Sequence, residues 1–247
     1  AAEAAGAASN AEAYSSARSW VTKGLHALAL DGAGGVGDRL VRARLLAEGF
    51  VAEAVVDPAA ALARIRECAA IAAGEKTSEV VGLTFLLVDA EKGRSNDPGV
   101  LVELLAVVDA ALHHLSGSSP STNAATPDAE RIAGPQDSLR LGLLIRKAAL
   151  LSRLPHHTAH KEAEELSMEA LVASSAEGIE LDDRATAVAS HLFLDVFGHS
   201  PAERLELADE LERIDGGIGG TALLVGSVRI LDNLAAGRPE EADRAID

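Results

Sequence analysis

The chain has 247 residues, 48% of them apolar and 24% charged, enough to build a buried core and to exclude disorder of the whole. Its formal net charge is −16, and both halves share it: residues 1–116 carry 10 basic and 15 acidic side chains, residues 117–247 carry 12 and 23. A surface of this sign repels phosphate backbones and anionic bilayers, which argues against direct nucleic-acid contact and against membrane binding by this segment.

The apolar fraction is mostly Ala, Leu and Val, with aromatics at only 2%. Ala and Leu favour helix, while the aromatic residues that strands prefer are scarce, so the expected fold is all-α. No run is read as reaching the roughly 18–20 apolar residues that a membrane helix needs. The N-terminus shows neither a basic segment nor an apolar one of the signal-peptide kind. A single cysteine, Cys68, excludes an internal disulfide and fits a reducing cytoplasm. The chain lacks an initial Met and ends within the helix-like run Pro239–Ala245, so it reads as a piece of a longer protein.

In chain order, the first expected helix spans 10–29 and carries Tyr14 and Trp20 on an amphipathic face. Packing against the next helix is the commoner use of such a pair, and a docking anchor is the alternative. Asp31–Arg39 (DGAGGVGDR) is rich in glycine but is no phosphate loop. Asp38 and Arg39 stand where the Lys and Ser/Thr would be needed, and no strand precedes them. It reads as an interhelical turn.

The next helix, 38–55, shows Ala43, Leu46 and Phe50 at helical spacing. Asp57-Pro58 then supplies a capping oxygen and a ring suited to the first helical position of 58–73. There Leu62, Ile65, Ala69 and Ala72 form the stripe, and Cys68 reads as a small core hydrophobe. Residues 76–92 contain Glu79–Val88 (EVVGLTFLLV), which suits a strand or a buried helix. Its length favours helix. Asp97-Pro98 opens 98–115, with His113 and His114 at the negative end of its dipole.

Residues 116–136 are rich in Ser, Pro, Thr and Asn and read as a flexible linker or surface loop. They divide N-terminal helical repeats (1–115) from a C-terminal set (137–247). The later helices are expected at 137–154, 158–175, 181–197, 201–215, 219–236 and from 239 onward, about eleven in all. Ala163, Leu166 and Ala170 mark one stripe. Leu207, Leu211 and Ile214 mark another, and Leu224, Val228, Leu231 and Ala235 a third. Ser200-Pro201-Ala202-Glu203 has the capping-box pair. Gly74, Gly93, Gly198 and Gly237 fall where helices should stop. Short connections make sequential helices antiparallel neighbours.

Candidate chemistry is sparse. His156 and His160 could share a helix face with Glu164 as a zinc site, but Pro155 puts His156 and His157 at the helix start, so exposed histidines are the commoner answer. His191 reads as a hydrogen-bonded, partly buried residue. Ser190 beside it lacks the Gly-x-Ser-x-Gly elbow of a hydrolase. The acid pairs Glu164-Glu165, Asp182-Asp183 and Glu240-Glu241 fit first turns and solvated faces, because adjacent residues do not share a helix face. No catalytic, cofactor-binding or metal-binding residue is assigned, and no cofactor is expected.

An internal echo links Asp38–Leu46 (DRLVRARLL) with Asp137–Ile145 (DSLRLGLLI), each followed by two more helices. Repeat folds show such similarity because no single hairpin buries its own apolar face. The runs Asp137–Leu154, His160–Ser174, Arg184–Phe197, Ser200–Ile214 and Leu223–Asp243 resemble the tetratricopeptide-like helical region of large actinobacterial-type ATPase and LuxR-type regulators. The resemblance covers 137–247, and 38–93 less closely. The repeat's Trp, Tyr and Phe positions are missing, and the period is not a clean 34.

The resemblance implies a stacked-hairpin solenoid that acts as a sensor or docking scaffold. Its concave surface would receive a partner protein, a peptide or a small effector and relay occupancy to neighbouring domains. The alternatives are a small-ligand or metal-binding protein using the His156–His160 region, and a structural spacer.

Overall fold

The computed structural model describes residues 14–30, 36–53, 57–72, 76–91, 97–118, 133–194, 200–215 and 220–245. Every regular element among them is helical. Among the described residues eleven helices occur, in two compact units, Ala1–Thr122 and Asn123–Asp247. The first unit holds α1 (Tyr14–Leu30), α2 (Val36–Glu53), α3 (Pro58–Ala72), α4 (Thr77–Glu91) and α5 (Pro98–Ser118). The second holds α6 (Pro135–Leu151), α7 (His157–Ser174), α8 (Leu181–Leu194), α9 (Pro201–Asp215), α10 (Gly220–Ala235) and α11 (Pro239–Arg244).

Capping chemistry sets the starts. Asp57 Oδ1 accepts from the Ala60 amide at 3.1 Å, and Asp97 Oδ1 accepts from Gly99 and Val100 at 2.9 and 3.1 Å. Ser200 and Glu203 close the reciprocal box, with Ser200 N–H donating to Glu203 at 2.8 Å and Glu203 N–H to Ser200 Oγ at 3.3 Å. Three starts lie earlier than expected, α2 at Val36, α6 at Pro135 and α7 at His157. The Asp137 carboxylate reaches back to the Gly134 amide at 2.8 Å, so α6 begins at Pro135 and Asp137 is its third residue.

At the other ends, Gly237 has φ +71 and completes a Schellman turn, with Arg238 N–H on Asn233 O at 2.7 Å and Gly237 N–H on Leu234 O at 3.0 Å. Gly74, Gly93 and Gly198 lie outside the described residues, as do 119–132 of the expected linker. Residues 116–118 of that linker belong to α5 and residues 135–136 to α6.

Packing follows one rule in both units. Each helix contacts its successor, and alternate helices also meet: α2 with α4, α3 with α5, α6 with α8, and α8 with α10. This is a stack of helical hairpins, consistent with a helical repeat. The internal echo has a structural counterpart, because α2 packs on α3 and α4 as α6 packs on α7 and α8. Asp38 and Asp137 are each the third residue of their helix.

The unpatterned run Glu79–Val88 is helical, inside α4. α4 contacts α2, α3 and α5, and Val80, Val81, Leu87 and Val88 are buried on one broad face of it, while Phe85 and Leu86 outside that face are partly buried. Apolar residues outside the buried face, Phe85 and Leu86, blur the periodicity that would have identified it.

Close approach in the first unit depends on Gly49. A Cβ there would lie 2.9 Å from Val21 Cγ1 and 3.0 Å from the Arg64 guanidinium, so α1, α2 and α3 converge on a position with no side chain. Beside it the buried Glu53 accepts from Arg64 Nη2 at 2.8 Å, and Arg18 adds a 3.7 Å contact. In the second unit α7 offers a seam of small buried residues, Ala159, Ala163, Ser167, Ala170 and Ser174, where it packs on α6 and α8. Ion pairs then bridge successive helices: Arg140–Glu169 at 2.7 Å and Lys147–Glu162 at 3.1 Å across α6/α7, and Arg184–Glu210 across α8/α9. Each such surface pair contributes only about 0–1 kcal/mol, so they fix register more than they stabilise.

Some apolar stripes differ from the sequence reading. Ala43, Leu46 and Phe50 are fully buried as expected. In α3 the inner line is Ala61, Ile65 and Cys68, with Leu62 and Ala69 only half-buried. In α7 Ser167 is buried and Leu166 only partly so. The largest departure is in α10, where Val225, Val228, Asp232 and Asn233 are buried while Leu231 and Ala235 are exposed. The cause is a charge on another helix. Buried Arg204 of α9 donates through Nε to Asp232 Oδ2 at 2.9 Å, which requires α10 to turn Asp232 inward.

The reading that no run reaches membrane length is also corrected. Pro98–Gly117 in α5 is long and apolar enough by length and composition, with mean hydropathy 1.5. Such composition also suits a core helix, and Val100, Leu101, Leu104, Val108 and Ala111 of α5 are buried in the stack with α3 and α4.

Candidate functional site

The sequence-derived chemical candidates do not assemble. His156 caps α7 with φ −113 and ψ 130 and makes no side-chain capping bond, His157 is the first helical residue, and both are exposed with His160 and Glu164. Among the described residues no three His, Cys, Asp or Glu side chains are placed to hold a metal ion. Gly37, Asp38 and Arg39 belong to the first turn of α2, and 31–35 lie outside the described residues. Glu164 and Glu165 are exposed, Asp182 and Asp183 sit in the first turn of α8, and Glu240 and Glu241 in that of α11.

His191 and Ser190 point to different surroundings. His191 is buried, and its Nδ1 lies 3.0 Å from the Ser167 hydroxyl, which donates to Glu164 O at 2.8 Å. This links α8 to α7 inside the core, so the imidazole is more deeply buried than expected. Ser190, one residue away, is half-buried and lines a groove. Cys68 is fully buried and its thiol donates to Ala43 O at 3.6 Å. Burial, with the neighbouring Glu67 carboxylate adding to it, pushes this thiol up to about 12, so it stays protonated. Trp20 is 44% exposed with the Lys23 ammonium 5.1 Å from its ring centre, while Ala17 and Val21 supply the buried face of α1. α5 continues past His113 and His114 to Ser118, so neither histidine ends it.

What the second unit offers instead is an apolar groove of about 800 Å³ between α8 and α10, with α9 beneath. One wall comes from Thr186, Ala189, Ser190 and Phe193, the other from Leu223, Ser227 and Leu231. Phe193 is 70% exposed, Leu223 77% and Leu231 58%. Its floor rests on the cluster of Val188, Leu192, Ala208, Leu211, Val225 and Val228. Arg204 reaches the groove from below, bound to Asp232 and 3.4 Å from Leu192 O. The opposite side of α10 is clasped to α9, where Arg229 donates to Asp209 and to Glu212, each at 2.7 Å. Those bonds hold the Glu212 carboxyl below its usual range and the guanidinium above its own.

The groove's location follows from the stack. α6, α8 and α10 touch one another in series, whereas α7 and α9 are not in contact. The groove opens along the α8 and α10 members of this row. Sequence reasoning missed Phe193 and Leu223 because an exposed apolar residue and a buried one look alike in a helical stripe. Arg204 gave no signal of its own, because it is one of many charges in α9 (PAERLELADELERID).

Compared with known proteins, the chain matches no family model, no curated protein and no solved structure.

Proposed function

We propose that the chain is a non-catalytic helical-repeat module of a cytoplasmic signalling or transcriptional regulator, of the tetratricopeptide-like kind that residues 137–247 resemble. In this reading it binds a partner protein or peptide and passes its occupancy to neighbouring domains of a longer chain. The observation that carries the reading is the α8/α10 groove, which presents Phe193, Leu223 and Leu231 to solvent on a wall with few polar groups. Contiguous exposed apolar surface of this kind marks interaction sites more often than chance. Large apolar side chains seated in pockets supply most of the affinity where partners meet.

The partner's chemistry follows from charge. With 12 basic and 23 acidic residues in 117–247, the long-range field favours a cationic segment, and the groove favours apolar anchors on it. An amphipathic helix with Leu, Met or aromatic residues on one side and Lys or Arg on the other meets both demands.

Selection from a random peptide display library on the full chain tests this. Enriched sequences are expected to combine large apolar residues with net positive charge. Their affinity should fall at least tenfold on Phe193→Asp or Leu231→Asp, substitutions at exposed sites that leave the core intact. Enriched peptides that bind both variants as well as the parent would remove the groove from the account.

A further inference from the structure

The first unit contains a second concavity, independent of the groove and of its proposed partner. Where α3 and α5 face each other across α4, a hollow of about 240 Å³ opens. Its floor is Val80, Leu83 and Leu87 of α4, all buried. Its sides are low because the facing positions are Ala69 on α3 and Ala106 and Ala110 on α5. Cys68 lines it and is fully buried. Across the mouth Arg66 of α3 and Glu103 of α5 are paired, with Arg66 Nε donating to Glu103 Oε1 at 2.7 Å.

We propose that this hollow is a binding site for an uncharged, apolar small molecule of roughly ten non-hydrogen atoms. The size follows by proportion from an apolar cavity of about 150 Å³ that holds benzene. The class follows from the lining. Apolar walls hold water poorly and gain by contact with apolar matter. Besides Cys68 and the Arg66–Glu103 pair, His114 of α5 is the remaining titratable side chain of the lining. Arg66 and Glu103 at the opening neutralise each other, so an anionic ligand meets Glu103 and a cationic one meets Arg66. Either must work against the existing pair, whereas an uncharged molecule leaves it closed above itself. Thr84 offers no competing polar demand, because its hydroxyl already donates to Val80 O at 2.8 Å.

The single cysteine of the chain makes the site readable. Alkylation of Cys68 by N-ethylmaleimide requires the hollow or the whole unit to open. A ligand that binds only the closed form slows it by the factor one plus concentration over Kd. The probes are 1-octanol, octanoate and octylammonium, matched in length and different in charge, with intact mass as the readout on the full chain. At ten times its dissociation constant, 1-octanol is expected to slow alkylation about tenfold, with octanoate and octylammonium much weaker at the same concentration.

Ala110→Leu, at an exposed rim position, fills the opening and should abolish the protection while leaving helicity by circular dichroism unchanged. Ala106→Leu serves the same purpose if the first variant loses helicity. No protection by 1-octanol, equal protection of the filled variant, or equal protection by a charged probe would each overturn the proposal. None of these outcomes bears on the α8/α10 groove, which is tested by substitutions in the other unit.

Discussion

Asp232 faces Arg204 at 2.9 Å with both residues buried, and the pair decides which side of α10 is inside. Asp232→Ala removes the carboxylate and is expected to cost about 3–5 kcal/mol in urea unfolding, since a buried charge loses its counter-charge. Replacing both, Arg204→Met with Asp232→Leu, should return stability to within about 1 kcal/mol of the parent, because two apolar side chains avoid the desolvation. A double variant as unstable as the single one would show that the pair contributes more than orientation. His191 makes a second residue-scale claim. With the Ser167 hydroxyl donating to Glu164 O at 2.8 Å, the 3.0 Å contact to His191 is completed by the tautomer that carries its proton on Nδ1. Long-range ¹⁵N–¹H spectra of the imidazole are expected to show the proton on Nδ1, and a ring protonated only at Nε2 contradicts the network.

The helix starts could be read from sequence because their causes are local: Asp57 and Asp97 cap within three residues of themselves, and Ser200 with Glu203 likewise. Which face each helix buries was legible only where apolarity alone decides it. Ala43, Leu46 and Phe50 of α2 were clear for that reason. The α10 face was not, because its determinant, Arg204, lies 28 positions away along the chain. Close approach is just as invisible in one dimension. Gly49 and Gly82 are both helix-interior glycines, yet an added Cβ meets Val21 and Arg64 at the first and nothing within 4 Å at the second. Gly49→Ala should therefore lower stability by about 1 kcal/mol or more, the overpacking exceeding the gain in helix propensity. Gly82→Ala should raise it by about 0.5–1 kcal/mol. Thermal unfolding of the two variants is expected to shift in opposite directions, and a shared sign would count against the packing of α1, α2 and α3.

At the scale of the molecule, both units are hairpin stacks, and their apolar Ala/Leu composition, short turns and recurrent capping signals made that class readable. The groove was less so. It exists because α10 is turned by a buried ion pair, leaving Leu223 and Leu231 beside Phe193 where the sequence stripe of Leu224, Val228, Leu231 and Ala235 would have buried Leu231. The proposed docking role rests on that rotation. Single cysteines introduced at 223, 231, 225 and 228 in a Cys68→Ala background test it through their rates of reaction with a maleimide. The expected result is fast labelling at 223 and 231 and protection of roughly a hundredfold or more at 225 and 228, where reaction needs local unfolding. Protection at 231 with fast labelling at 225 would place the other face of α10 inside, and the α8/α10 groove would not exist.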